Sequence, residues 1–132
     1  MGQVVVETKD LSKTYDGFTA VDKLALHLEE GEIFGFLGPN GAGKTTTILM
    51  LLGLTEPSSG TAQVCGYNPT KEPLKVKSIV GYLPEKVGFY EDLTARQNLR
   101  YTAELSSPRR QPGEKGIDNL LATVGLSQVA DQ

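Results

Sequence analysis

The sequence predicts an α/β fold: a mainly antiparallel N-terminal sheet beside a parallel core built on one strand–loop–helix unit. Three observations predict it. Residues 32–54 read E-I-F-G-F-L-G-P-N-G-A-G-K-T-T-T-I-L-M-L-L-G-L, an apolar run, a glycine-rich loop, then helix-forming residues. Residues 4–28 carry the pattern of a β-hairpin. Residues 79–83, I-V-G-Y-L, form a second apolar run of strand type.

The hairpin comes first. Val4, Val5 and Val6 are β-branched and favour a strand. Asp16-Gly17 is a turn signal. Leu24, Leu26 and Leu28 then alternate with Ala25, His27 and Glu29, the period of a half-buried strand. His27, the single histidine, reads as a surface strand residue. Glu30-Gly31 turns the chain into residues 33–37, whose Ile33, Phe34, Phe36 and Leu37 are expected to form the central strand.

The loop that follows matches G-x-x-x-x-G-K-[ST], the P-loop, in Gly38, Pro39, Asn40, Gly41, Ala42, Gly43, Lys44 and Thr45. Glycines let the backbone curl so that successive N–H groups point inward. Those donors and the positive end of the following helix make a phosphate cradle. Lys44 supplies a cation for the β- and γ-phosphates, the Thr45 hydroxyl is placed to ligate Mg²⁺, and Thr46 reaches the α-phosphate side. The helix is expected to run to Leu52 and stop at Gly53.

Beyond it, residues 56–60 read as a polar loop, 61–67 as a strand and 71–78 as a short helix. Pro84 closes the second apolar run. Thr94-Ala95-Arg96-Gln97 is a capping box that opens a helix to about Leu105. Residues 107–116 hold two prolines and two glycines and read as a loop. Ile117, Leu120, Leu121 and Val124 stand at helical spacing, with Gly125 as the C′ glycine.

Composition limits the function. The chain has 132 residues and a net charge of −3, with no basic excess to displace counterions from nucleic acid. The lone Cys65 excludes an internal disulfide framework and is expected to be a passive buried thiol. Neither a signal peptide nor a membrane span is read in the sequence. The chain is therefore expected to serve a membrane only through another polypeptide.

Three further stretches narrow the class of P-loop protein. They are L-S-K-T-Y at 11–15, the specific filling G-P-N-G-A-G-K-T-T at 38–46, and V-G-Y-L-P-E at 80–85 followed by Y-E-D-L-T-A-R-Q-N-L at 90–99. Together they resemble the ATP-binding subunit of an ABC transporter, in the exporter or multidrug branch. The resemblance implies a P-loop core with an antiparallel β-subdomain and the start of a helical subdomain. It divides the chain at about 1–31, 32–85 and 86–132. It implies that Tyr15 stacks on adenine, that Val21 packs beside ribose and base, and that ATP and Mg²⁺ are the cofactors. Glu85 stands where the family has a glutamine that meets Mg²⁺ and the attacking water. A carboxylate still accepts hydrogen bonds and binds a hard cation, but cannot donate as an amide does.

The family's L-S-G-G-Q signature, Walker B strand and switch histidine do not occur downstream of the P-loop in these residues. The expectation is a nucleotide-binding domain cut before those parts, which binds Mg-ATP rather than hydrolysing it. The implied partners are a separate transmembrane permease subunit and a second ATP-binding subunit. The implied place is the cytoplasmic face of the membrane. Two other readings stay open: a GTPase or small kinase, and a non-catalytic interaction fragment. The D-x-x-G and N-K-x-D patterns of a GTPase are absent, and Arg109-Arg110 is too little for a kinase lid.

Overall fold

The computed structural model describes residues 2–39, 41, 43–85, 88–106 and 113–132. It divides into two compact units, Met1–Gly81 and Tyr82–Gln132.

The first unit is a three-stranded antiparallel sheet with two helices. Strands β1 (Val4–Tyr15) and β2 (Phe18–Glu29) form the hairpin, and β3 (Ser59–Val64) adds to the other side of β1, giving the order β2-β1-β3. The Asp16-Gly17 turn has both residues at positive φ, 40° and 83°. That backbone matches the twist of the flanking strands. Midway, Asp10 and Lys23 also take positive φ, 48° each, and the register slips between Thr8 and Leu11. Two buried hydroxyls repair the ladder there. Thr8 Oγ1 accepts from the Leu26 N–H at 2.8 Å and donates to the Leu24 carbonyl at 2.9 Å. Ser12 Oγ accepts from the Lys23 N–H at 2.8 Å.

Helix α1 (Lys44–Leu51) packs on this sheet. Leu11, Val21, Met50 and Ala62 are buried together, with Ala20, Leu24 and Leu51 against them. Gly53, at φ 75°, ends the helix as expected: the Leu54 N–H reaches the Leu49 carbonyl at 2.9 Å and the Gly53 N–H the Met50 carbonyl at 3.2 Å. Helix α2 (Pro73–Ile79) starts with proline at its first position, where a missing N–H costs nothing.

The two apolar runs expected as strands form no ladder among the described residues. Ile33 and Leu37 are fully exposed, and Ile79 is the last residue of α2. A run apolar on both faces suits an interior strand of a parallel sheet, which needs a partner on each side. The described sheet is antiparallel throughout, β2-β1-β3, and offers such a run no parallel ladder. Cys65 is exposed, not buried. It lies with Gly66 in a two-residue turn, both at positive φ, between Val64 and Tyr67, which exchange backbone hydrogen bonds. Central positions of such a turn point away from the sheet.

The second unit holds α3 (Ala95–Ser106), α4 (Gly113–Thr123) and a short 3-10 turn, Ser127–Val129. The capping box forms reciprocally. The Gln97 N–H donates to Thr94 Oγ1 at 3.1 Å, and the Thr94 N–H to Gln97 Oε1 at 2.8 Å. Ile117, Leu121 and Ala130 are buried against Ala95 and Leu99. Helix α4 begins at Gly113, inside the stretch expected as loop, with Glu114 in its first turn where the helix dipole favours an acid. The rest of that expected loop, residues 107–112, lies outside the described residues, Arg109 and Arg110 included. No helix among the described residues is long and apolar enough to cross a membrane.

Candidate functional site

The glycine loop leads into α1 with Gly43 as its N-cap, at φ 91°. Glycine supplies no capping side chain, so the first-turn N–H groups are left to face the loop. Thr47, buried, spends its hydroxyl on the Gly43 carbonyl at 2.8 Å, while its N–H donates to the same atom at 2.9 Å. The Lys44 ammonium folds back over the loop and donates to the Gly38 carbonyl. Thr45 is exposed and Thr46 half-buried.

The loop is seated on the hairpin at one point. A Cβ on Gly43 would lie 2.3 Å from the Ala20 carbonyl oxygen and 3.1 Å from Val21 Cγ2. Only glycine permits this approach and this φ together. Val21 is thereby brought against the loop. Gly38, Pro39 and Gly41 are exposed, while Asn40 and Ala42 lie outside the described residues. The described loop thus ends in a helix N-terminus capped by glycine, with the Lys44 ammonium folded over it; helix N-termini and cations of this kind attract anions.

Tyr15 ends β1 and is 45% exposed. Three residues that the sequence reading did not single out hold this end of the strand. Lys13 lies over the Tyr15 ring, 5.1 Å from its centroid, and donates to the Glu56 carbonyl at 2.6 Å. Ser58 Oγ accepts from the Thr14 N–H at 3.0 Å, and the Ser58 N–H donates to the Ser12 carbonyl at 2.9 Å. The i, i+2 spacing of Lys13 and Tyr15 on a strand was the signal available. Ser59 and Gly60 belong to β3, not to the loop before it. His27 is exposed on β2, as read. Glu85 belongs to the second unit and is exposed.

Charge in the second unit gathers on Arg96. Its guanidinium pairs with Asp118, with Asp131 at 3.0 Å and with Glu114 at 3.7 Å. The hydrogen bonds that the guanidinium donates, to Asp118 first and then to Asp131, raise its pKa above the ordinary arginine value. Arg100 pairs with Glu114 at 2.6 Å. This cluster ties α3 to α4 and the C-terminal turn.

A P-loop seated on an antiparallel hairpin defines a nucleotide-binding subunit. The chain belongs to the ABC transporter family, whose model matches residues 21–132. It is similar to a solved structure described as "Structure of ATP binding subunit of ABC transporter", with a TM-score of 0.80 and 30% identity over 96% of this chain and 53% of that one. The fold is thus that of the ABC-type P-loop core. Among curated proteins it is 43% identical to the bacitracin transport ATP-binding protein BcrA of Bacillus licheniformis, over 92% of this chain and 39% of that protein. It is 38% identical to the probable multidrug ABC transporter ATP-binding protein YbhF of Escherichia coli (strain K12), over 98% of this chain and 22% of that protein. The chain therefore spans less than half the length of these two relatives.

Proposed function

We propose that this chain is the part of an exporter's ATP-binding subunit that grips Mg-ATP. The observation that carries the reading is the Lys44 ammonium folded over the Gly38 carbonyl at the mouth of a helix capped only by glycine. Gly38, Pro39, Asn40, Gly41, Ala42 and Gly43 supply the loop backbone, and Lys44 swings from carbonyl to phosphate. Lys44 is also the residue expected to stabilise charge on the transferred group. Thr46 meets the α-phosphate side, while Tyr15 and Val21 hold the base and ribose.

The residues fit Mg²⁺. The exposed Thr45 hydroxyl in the first turn of α1 is a hard oxygen donor of the kind Mg²⁺ takes. A cation at Thr45 would then take its remaining ligands from phosphate oxygens and water, as Mg²⁺ does in nucleotide sites. Glu85 is proposed as a further contact to the metal or the attacking water.

Export as the task is supported by the names of the relatives, bacitracin transport and multidrug transport. In this reading residues 86–132 open the helical subdomain. A transmembrane permease binds the subunit at the cytoplasmic face of the membrane, and a second ATP-binding subunit closes the site. These 132 residues bind ATP and do not turn it over at an enzyme-like rate. Catalysis of phosphoryl transfer needs a water-orienting group and further donors besides the P-loop.

The test is calorimetric titration of ATP with Mg²⁺ into the chain and its Lys44→Ala variant, with phosphate release followed in parallel. Lys44→Ala should lower ATP affinity about tenfold or more, the scale of a charge-assisted contact, while circular dichroism stays unchanged. Equal binding by the two chains overturns the site. Phosphate release at ~1 s⁻¹ or faster that Lys44→Ala abolishes overturns the statement that the chain only binds.

A further inference from the structure

The structure points to Lys13 as a positioning residue that backs the Tyr15 ring and prepares its opposite face for a purine, an inference that rests on the ATP reading above. Strand alternation puts Lys13 and Tyr15 on the same face of β1. The ammonium lies 5.1 Å from the ring centroid, within the range of a cation–π contact. It is also fixed, because it donates to the Glu56 carbonyl at 2.6 Å.

That anchor belongs to the loop after α1, the helix whose other end forms the phosphate cradle. The same loop grips β1 through Ser58, which accepts from the Thr14 N–H at 3.0 Å and donates its own N–H to the Ser12 carbonyl at 2.9 Å. Backbone on both sides of Lys13 is thus clipped to the loop, and the ammonium closes the clip over the ring.

Two physical effects follow. The anchored cation occupies one face of Tyr15, which restricts the ring to rotamers with the other face outward. It also draws π density toward itself, so the free face meets the π cloud of a purine with less repulsion. Both effects act on the base and neither acts on the phosphates. Lys13 therefore tunes how much of the binding comes from adenine, while Lys44 serves the phosphate end.

The experiment titrates ATP and inorganic tripolyphosphate separately into the full chain and into the Lys13→Met, Lys13→Arg, Tyr15→Ala and doubly substituted Lys13→Met/Tyr15→Ala variants. Lys13→Met should weaken ATP about two- to fivefold, the affinity equivalent of an exposed cation–π contact, and leave tripolyphosphate unchanged. Lys13→Arg, which keeps a cation over the ring, should restore ATP binding. In the Tyr15→Ala background Lys13→Met should change nothing further. Equal loss for both ligands would place Lys13 at the phosphates and overturn the inference, as would no loss, or the same loss without Tyr15. A ligand-free readout separates this from the parent reading: the Tyr15 ring carbon shifts in NMR spectra should move in Lys13→Met. Shifts that stay fixed overturn the contact even if ATP binds. A parent chain that binds ATP no better than tripolyphosphate overturns the adenine reading, and Lys13's role with it, even if the shifts move.

Discussion

The two units of this chain are held together by different physics. In Met1–Gly81 the work is done by close backbone approach and a buried apolar cluster on a sheet. Glycines stand where no Cβ fits: at Gly43 against Ala20, at Gly53 against Pro69, and at Gly60 against Asp10. In Tyr82–Gln132 the buried cluster among the described residues is Ile117, Leu121 and Ala130, and the helices are also joined by the charges around Arg96. The first unit is thus sensitive to volume, the second to ionic strength. That division suits the proposed task, because a phosphate cradle needs backbone fixed to a fraction of an ångström.

The largest expected effect is in the first unit. A Cβ at Gly60 would meet the Asp10 carbonyl oxygen at 2.1 Å and Leu11 Cα at 2.7 Å, all backbone atoms of the neighbouring strand at its bulge. Gly60→Ala adds overpacking to left-handed strain, together about 3 kcal/mol or more. Hydrogen exchange should show β1, β2 and β3 losing protection while α3 and α4 keep theirs. Loss in both units would break the comparison.

Arg96→Met should act in reverse. Protection in α3 and α4 should fall and the strands should not change. The parent chain's second unit should weaken between low and high salt, and the variant's should not, because salt screens exposed pairs. Raised pKa on an arginine is a stabilisation present below its unfolded value and lost only as pH rises through the folded one. No alkaline loss from Arg96 is therefore expected below about pH 12. A salt response that survives Arg96→Met would show that the charges are decoration.

Local signals in the sequence were read well because their physics is local. The Asp16-Gly17 turn, the Thr94–Gln97 capping box, and Gly53 and Gly125 as helix stops depend on a few neighbouring residues, and each forms. The helix that follows the glycine loop, with Gly43 at its N-cap, was legible for the same reason. Residues 33–37 and 79–83 were misread as ladder strands, since an apolar run states its need for partners without saying which segment meets it. The bulge at Asp10 and Lys23 left no signal, because neither residue is glycine and the compensating hydroxyls of Thr8 and Ser12 act across the ladder. Cys65 was expected to be buried, but the two-residue turn it occupies with Gly66 decides its exposure. The Lys13 contact with Glu56 was beyond reach, as it joins residues 43 positions apart.

The smallest expected effect sharpens the comparison most. Gly125 ends α4 at φ 75°, close to the 83° of Gly60, so the two glycines share their backbone strain. They differ in surroundings. An added Cβ at Gly125 meets nothing within 4 Å. Its N–H donates to the Ala122 carbonyl at 3.1 Å, and the Leu126 N–H reaches the Leu121 carbonyl at 2.8 Å, bonds that alanine can keep. Gly125→Ala therefore carries the left-handed penalty of about 1 kcal/mol, partly offset by the lower entropy of the unfolded alanine chain, about 0.4–1 kcal/mol. The net loss should be below about 1 kcal/mol, seen in hydrogen exchange of α4 alone. Subtracting it from the loss at Gly60→Ala isolates what volume alone costs in the first unit. Similar losses for the two substitutions would mean that φ governs both sites and that the tight strand approach contributes little.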